Sequence, residues 1–255
     1  MSVNLDMMRM QLLMERIERP YMIKLAKEKN RYIRQASMNF ESMNSLSIMD
    51  FRLHQKNILD IMSAYNKKTI SVFVNDLNKA TKSKIDILET KIDDTEQLDL
   101  FVDNLWLYWL ETETARNAIE VSGTTKKDIE RAISQSIADG EFNTQVAKRI
   151  LRARGLSVWR AEAIARTETH NTAMYANKET AKELQREGGV ELLKKWLPSS
   201  DERTRESHRA MADHPAISMD AKFNVGGEMM DRPGDPNASA KNVIHCRCVL
   251  TYEPV

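Results

Sequence analysis

The two cysteines of this 255-residue chain stand two positions apart, at Cys246 and Cys248. In an extended segment such side chains point to the same side, so both thiols can act on one partner. They are poorly placed to form a disulfide with each other. A secreted protein stapled by disulfides would also carry more cysteines. We therefore expect reduced thiols that serve either as metal ligands or as small buried apolar side chains.

A second group of polar side chains lies in the segment WLPSSDERTRESH, residues 196–208. If residues 201–211 form a helix, Asp201, Arg205 and His208 lie at i, i+4 and i+7 and share one face. We therefore predict a short helix that presents a carboxylate, a guanidinium and an imidazole on the same side.

A final strand near residues 244–252 would place both thiols on one side of a sheet. If that side faces the polar helix, nitrogen, sulfur and oxygen donors suited to zinc come together. The candidate metal ligands are Asp201, His208, Cys246 and Cys248, and the supporting polar residues are Arg203, Arg205 and Arg247. His214 is an alternative to Asp201 as the fourth ligand.

Two other interpretations of these residues stay open. In the first, the cysteines are buried apolar side chains and His208 bonds to a backbone carbonyl. Asp201 then forms a structural ion pair with Arg205 or Arg247. In the second, His208 is a general base that Asp201 orients. The sequence contains no P-loop, His-Glu-x-x-His or Gly-x-Ser-x-Gly motif, so we predict no established catalytic residue.

Basic residues concentrate in one stretch although the net charge is only +1. Residues 148–160, KRILRARGLSVWR, contain five basic side chains and no acidic one. Such a stretch can contact nucleic-acid phosphates. The candidate DNA-contacting residues are Lys148, Arg149, Arg152, Arg154 and Arg160. The alternative is a solvated helix end.

The elements that position these residues are mainly helical. Before Gly123 the only glycine or proline is Pro20, and apolar residues recur three and four positions apart. One wide apolar stripe, which another helix or a partner must bury, comprises Leu98, Phe101, Val102, Leu105, Trp106 and Trp109. Turn and capping residues predict helices from Thr125 to Asp139-Gly140, from Asn143 or Thr144 to about Arg154-Gly155, and from Ser157 to Gly188-Gly189.

Glycine and proline become frequent after residue 190. There we predict a strand over Leu192–Leu197, the polar helix, a hairpin around residues 225–228 and the final strand. The predicted fold class is mainly α, with an extended helical N-terminal body followed by a small α+β C-terminal module with short antiparallel strands. The longest unbroken apolar stretch, residues 105–110, is too short to span a bilayer, so we expect no membrane partner.

Five blocks of the sequence resemble the phage Mu F-like head morphogenesis family of tailed bacteriophages. In order, they are IARTET (164–169), WLPSSDERTRESH (196–208), FNVGG (223–227), PGDP (233–236) and CRC (246–248). The resemblance covers about residues 125–252. The matching residues are Trp196, Asp201, Arg203, Thr204, Arg205, His208, Pro233, Gly234, Asp235, Pro236, Cys246, Arg247 and Cys248.

The resemblance implies a minor head protein, present in few copies in the capsid interior or at the portal vertex and made in the bacterial host cytoplasm. It implies a role in capsid assembly and in DNA packaging or delivery. The implied partners are the portal protein, the major capsid or scaffolding protein, and packaged double-stranded DNA. No enzymatic activity is implied, and zinc is the cofactor that the residues suggest. A nucleic-acid-binding module and a metal-dependent hydrolase are the alternatives.

The resemblance also suggests a division of the chain into three segments. Residues 1–122 would be a helical region that docks on a partner. Residues 123–190 would be the helical part of the family domain, and residues 191–255 its small α+β module.

Overall fold

The computed structural model describes residues 2–43, 50–84, 95–141 and 143–255. Most of the chain before residue 190 is helical. The long helices are α1 (Ser2–Met43), α2 (Phe51–Lys84), α3 (Thr95–Trp109), α4 (Ala115–Ala138) and α5 (Asn143–Gly188), and a π-helical turn, Leu110–Thr114, joins α3 to α4. None of the helices in these ranges has the length and apolar character needed to cross a membrane.

The predicted helix start at Thr125 and the predicted break near Gly155 are both wrong. Helix α4 continues through Gly123 and does not begin at Thr125. The hydroxyls of Thr124 and Thr125 donate hydrogen bonds to the carbonyls of Glu120 and Val121, four residues earlier in the same helix. These residues therefore lie inside the helix and do not cap its N-terminus.

The second wrong boundary is the break predicted near Gly155, because α5 is one continuous helix of 46 residues. Ile150 and Ala161, on either side of the predicted break, are both fully buried. Packing of both halves holds the helix together there, which local propensity does not reveal. The predicted ends at Asp139-Gly140 and Gly188 are confirmed.

The chain forms two compact units that alternate along the sequence. Unit 1 comprises Met1–Ile17, Asn66–Trp109 and Arg166–Val255, and unit 2 comprises Glu18–Tyr65 and Leu110–Ala165. The predicted boundary at residue 122 falls inside α4, whereas the one at 190 falls between α5 and the first strand. The functional division into three segments stays a prediction.

Each unit has its own apolar core. In unit 2, segments of α1, α2, α4 and α5 bury two clusters, which include Tyr21, Leu25, Ile58, Met62 and Ala165, and Tyr32, Ile33, Phe40, Ile129 and Ile150. In unit 1 the stripe of α3 packs inside the chain: Val102, Leu105 and Trp109 are buried with side chains from α1, α2 and α5. The stripe is therefore covered by other helices of the same unit.

The C-terminal module of unit 1 carries the strands. β1 (Leu192–Leu197) is central in an antiparallel sheet of order β2-β1-β5, where β2 is Ile217–Ser218 and β5 is Val249–Pro254. β3 (Phe223–Val225) and β4 (Glu228–Met230) form the predicted hairpin. The predicted strand at 192–197 is thus confirmed, as is the fold class: mainly α with a small α+β module of short antiparallel strands.

The polar helix is shorter than predicted. α6 spans only Glu206–Arg209 and continues as a 3-10 turn over Ala210–Asp213. Asp201 precedes it in a turn, where its carboxylate accepts the backbone N–H of Arg203 at 3.0 Å. This side-chain bond to the backbone two residues ahead competes with helix formation. Asp201 and His208 therefore do not share a helix face.

The final strand also starts later than predicted, at Val249. A short helix, α7 (Ala240–Val243), is followed by a turn in which His245 has a left-handed φ of 58°. The backbone N–H of Cys246 bonds to the carbonyl of Val243 at 3.1 Å and closes this turn. Cys246 and Cys248 consequently lie in the extended segment between the turn and β5.

A buried ion cluster joins α5, β1 and the residue after β4. The side chain of Lys194, on β1, is 0% exposed, and its Nζ donates to the carboxylate of Asp231 at 2.7 Å and to its carbonyl at 2.8 Å. Lys178, on α5, donates to the other carboxylate oxygen. Burial alone would raise the pKa of Asp231, but the hydrogen bonds from the two lysines lower it below its usual value.

We expect Asp231→Asn to lower the free energy of unfolding by about 3–5 kcal/mol at neutral pH, because it leaves a buried lysine without its carboxylate. The lowered folded-state pKa means that Asp231 stabilises the protein above the ordinary aspartate pKa, and that this contribution is lost as the pH falls through the folded-state value. The difference between wild type and variant should therefore shrink in acid.

Denaturant unfolding at neutral and acidic pH measures both effects. The matched control is Asp220→Asn, which removes an ion pair between Asp220 and Lys182. The side chain of Asp220 is 91% exposed. That change should cost less than about 1 kcal/mol. Equal costs for the two variants would contradict the role of the buried cluster.

Candidate functional site

Three of the predicted ligands converge in the C-terminal module. Nδ1 of His208, on α6, lies 3.6 Å from the sulfur of Cys246 and 3.4 Å from that of Cys248. The three donor atoms all lie within 4.8 Å of one another. The residues are 1%, 2% and 1% exposed, respectively. This is a compact set of one imidazole and two thiols, closed off from solvent.

The imidazole of His208 is held by its surroundings. The backbone N–H of His208 bonds to the carbonyl of Arg205 at 3.1 Å, which starts α6. Its ring stands perpendicular to that of Trp196, on β1, with 5.5 Å between the ring centres. Its Nε2 is buried with no hydrogen-bond partner among the described residues. Among the described residues, the side-chain hydrogen-bond contacts of this ring are those of Nδ1 with the two sulfurs.

The segment that carries the thiols is fixed by bonds to its backbone. His170, on α5, donates from Nε2 to the carbonyl of Cys248 at 2.8 Å. Gln11, on α1, donates to the carbonyl of Arg247 at 3.3 Å, and Arg205 donates to the carbonyl of Ile244. Three distant parts of unit 1 thus set the position of these few residues.

The two thiols differ in acidity. The hydrogen bond between the thiols is the main cause of the difference: it lowers the pKa of Cys246 and raises the pKa of Cys248 well above its usual value. Burial raises both pKa values, and the charge of Arg205 helps to lower that of Cys246. Thiolate, and not thiol, is the form of a cysteine that binds metals.

Asp201 does not join this group. Its carboxylate pairs with the guanidinium of Arg247, with 2.6 Å between Oδ1 and Nη2 and a second contact between Oδ2 and Nη1. Burial would raise the pKa of Asp201, but the hydrogen bonds from Arg247 lower it below its usual value. Of the two ion pairs that the sequence left open for Asp201, the structure contains the one with Arg247.

The structure does not place His214 as a fourth ligand, or Asp201 and His208 as an acid–base pair. His214 bonds through Nδ1 to the carbonyl of Pro215 and packs on Phe223, away from the ligand group. In the described ranges, no fourth His, Cys, Asp or Glu donor joins the three ligands. In the same ranges, Asp201 and His208 share no hydrogen bond, so they do not form the acid–base pair of the hydrolase interpretation.

The PGDP block forms a loop that docks on α5. The carboxylate of Asp235, 1% exposed, accepts the backbone N–H groups of Asp231 at 2.8 Å and Asn237 at 2.9 Å. Gly234 has a φ of 70° and lies against Asn171 and His170. A Cβ at this position would stand 2.3 Å from Oδ1 of Asn171. Only glycine allows both the backbone conformation and this close approach.

His170 connects the blocks and was missed by the sequence analysis. It follows IARTET directly, it contacts the PGDP loop, and it holds the carbonyl of Cys248. The FNVGG block meets α6 in a similar way, since a Cβ at Gly226 would lie 3.0 Å from Cβ of Ser207. The last four blocks are therefore linked by contacts with one another or with His170 and Asn171, directly after IARTET. A polar residue directly after a matched block was the available signal for His170.

The basic stretch on α5 is partly neutralised within unit 2. Arg149 pairs with Asp139 at 2.8 Å and with Glu141 at 2.6 Å, and Arg160 pairs with Asp128. The other three residues are Lys148 and Arg152, which are exposed, and Arg154, whose side chain lies outside the described residues. The exposed charge of this stretch is thus smaller than the sequence suggests.

We expect Gly234→Ala to destabilise unit 1 by more than about 2 kcal/mol, because it adds a clash with Asn171 to the strain of a left-handed backbone. The control is Gly227→Ala, at a φ of 86° with no heavy atom within 4 Å of the added Cβ. The control should cost only about 1 kcal/mol of backbone strain. Thermal unfolding of both variants compares the two, and equal losses would rule out the close approach.

Comparison with known proteins adds an independent result. Residues 127–251 match the family described as Phage Mu protein F like protein. The chain is 34% identical over 126 residues to the "Minor head protein GP7" of Bacillus phage SPP1, an alignment that covers 49% of this chain and 40% of that protein. It is 28% identical over 125 residues to the "NAD(+)--arginine ADP-ribosyltransferase EFV" of Enterococcus faecalis (strain ATCC 700802 / V583), covering 48% of this chain and 24% of that protein.

No solved structure matches the chain. The chain spans well under half the length of both curated relatives, so their names describe proteins with further parts. The family match covers the helices and strands that carry all five blocks. Residues 127–251 of this chain therefore match the phage Mu F-like family, as the resemblance predicted.

Proposed function

We propose that this chain is a minor head protein of a tailed bacteriophage that binds the portal and acts in capsid assembly and in DNA packaging or delivery. The observation that carries the proposal is the family match over residues 127–251, together with the 34% identical relative that is named a minor head protein. The chain spans only 40% of that relative, so portal binding is proposed for this chain and does not follow from the relative's name.

The site supports a structural role over catalysis. The imidazole and both thiols are buried, so a substrate could reach them only if the module opened. The surrounding polar residues bind backbone groups and one another, and in this way they join segments that are distant in sequence. Buried networks of this kind rigidify a fold. The transferase activity of the second relative is a property of that longer protein.

An apolar stripe on α1 offers a surface for the portal. Leu5, Met8 and Leu12 follow one another at i, i+3 and i+7 within unit 1, and each is about half exposed or more. The opposite side of the same helical segment, with Met7, Met10 and Met14, is buried in the core of unit 1. An exposed apolar ridge on an otherwise packed helix is typical of a docking site. We infer that the portal binds this ridge.

Co-expression with a portal ring tests both statements. We expect wild-type chain to co-purify with the ring, and Met8→Glu/Leu12→Lys to reduce the bound amount by about tenfold or more, since buried charges oppose docking. The control is Ile23→Lys, an exposed apolar position on α1 within unit 2, which should bind as wild type does. Failure of the wild type to co-purify contradicts portal binding, and equal binding of all variants contradicts only the docking surface.

DNA is a second partner that unit 2 favours. Lys24, Lys27, Arg31 and Arg34 are exposed along one side of α1 and line a groove. Arg31 forms an ion pair with Glu28 at 2.7 Å. The other three side chains are therefore the main positive charges of this basic row. Such a row can follow a phosphate backbone. We therefore propose that unit 2 contacts packaged double-stranded DNA through this basic row and through Lys148 and Arg152.

Salt dependence tests the DNA contact. Binding of duplex DNA should weaken steeply with salt, and Lys24→Gln/Lys27→Gln/Arg34→Gln should reduce the slope of log K against log salt by about 2 to 3, because each lost phosphate contact contributes about 0.9. The control is Arg116→Gln, an exposed arginine of unit 2 that pairs with Glu113. It should leave the slope unchanged. Wild-type binding that is absent or independent of salt would reject the DNA contact.

A further inference from the structure

We propose that His208, Cys246 and Cys248 bind one zinc ion, through Nδ1 of the imidazole and both sulfurs. This inference does not depend on the portal or on DNA. It rests on the geometry of the three donors, their chemistry and the charge that a buried site can hold.

The distances fit a shared metal ion better than hydrogen bonding. Tetrahedral zinc with Zn–S bonds of about 2.3 Å and a Zn–N bond of about 2.0 Å separates sulfur from nitrogen by roughly 3.5 Å. The two sulfurs lie 3.6 and 3.4 Å from Nδ1 of His208. Nδ1 of a neutral imidazole has one lone pair and can accept one thiol hydrogen. Both sulfurs nevertheless lie close to the same nitrogen, at distances that differ by only 0.2 Å.

The donor set selects zinc among the common metal ions. Thiolate and imidazole are soft or intermediate ligands, which magnesium and calcium avoid and zinc prefers. Two cysteines and one histidine are a known three-ligand combination for zinc, with the fourth position open to water. In the described part of the chain no further ligand residue joins the group, so we assign the fourth position to a water molecule.

The charge of the bound state suits the burial of the site. Zn²⁺ binds two thiolates after each thiol has released its proton to solvent, so two positive charges meet two negative ones and the site is neutral. A neutral site avoids the large cost of an unpaired buried charge. The surrounding bonds supply the outer shell that orients metal ligands, since His170 holds the carbonyl of Cys248 and Arg205 holds that of Ile244.

Zinc at this position would connect α6 to the segment between α7 and β5. These two segments are separated by 37 residues between His208 and Cys246, including the hairpin and the PGDP loop. The bound ion would thus hold the module closed, in addition to the apolar contacts of Trp196, Phe223 and Leu250.

Metal analysis of the full chain, purified without chelators, tests the proposal. We expect about one zinc per chain, and at least about tenfold less in Cys248→Ser, which lacks one ligand. The matched control is Met211→Leu, a buried residue of the same apolar cluster with no ligand role, which should keep its zinc.

A measurement on wild-type protein keeps the test valid if Cys248→Ser does not fold. Cobalt(II) added to the metal-free chain should give the intense thiolate-to-metal absorption of a site with two sulfur ligands, and zinc should remove it. Zinc should also protect both thiols from a thiol reagent. Less than about a tenth of an equivalent of zinc after zinc addition and dialysis, with both thiols equally reactive in its presence and absence, would overturn the proposal.

Discussion

The hydrogen bond from His170 to the carbonyl of Cys248 is the contact on which the C-terminal module depends. It joins α5 to the segment that carries both thiols, at a residue that also receives the PGDP loop through Gly234. The module has few apolar residues on α6, so burial of carbon surface cannot by itself fix the position of that helix. Polar bonds between distant segments supply the missing specificity.

The sequence was informative where a residue type has a local meaning. Glycines after helices, the turn at 225–228 and the segment LLKKWL all predicted elements that the structure contains. The residue types of the ligand group were equally clear, because histidine and paired cysteines are rare in this chain. The composition of the site could therefore be predicted from spacing, apart from its fourth member.

The errors arose where tertiary contacts outweigh local signals. Thr124 and Thr125 resemble a helix start, yet in a packed helix their hydroxyls bond to the preceding turn. Asp201 resembles a first-turn helix residue, yet it forms a turn of its own and pairs with Arg247, 46 residues away in sequence. The basic stretch on α5 could not reveal that Asp128 and Glu141 neutralise two of its charges. The pairings of Asp201 with Arg247 and of Asp128 with Arg160 depend on the approach of segments that local patterns do not describe.

The alternation of the two units along the chain affects how the protein is made. All residues of unit 2 have been synthesised once Ala165 is added, whereas unit 1 still lacks the segment from Arg166 onwards. Val249, which packs in the same core as Met10 and Phe73, comes from the end of that segment. Unit 2 can therefore fold while the ribosome is still translating. Until that segment is made, the methionines of residues 1–17 lack the part of their core that it contributes. The nascent chain therefore passes through a stage that is prone to association with chaperones or with other apolar surfaces.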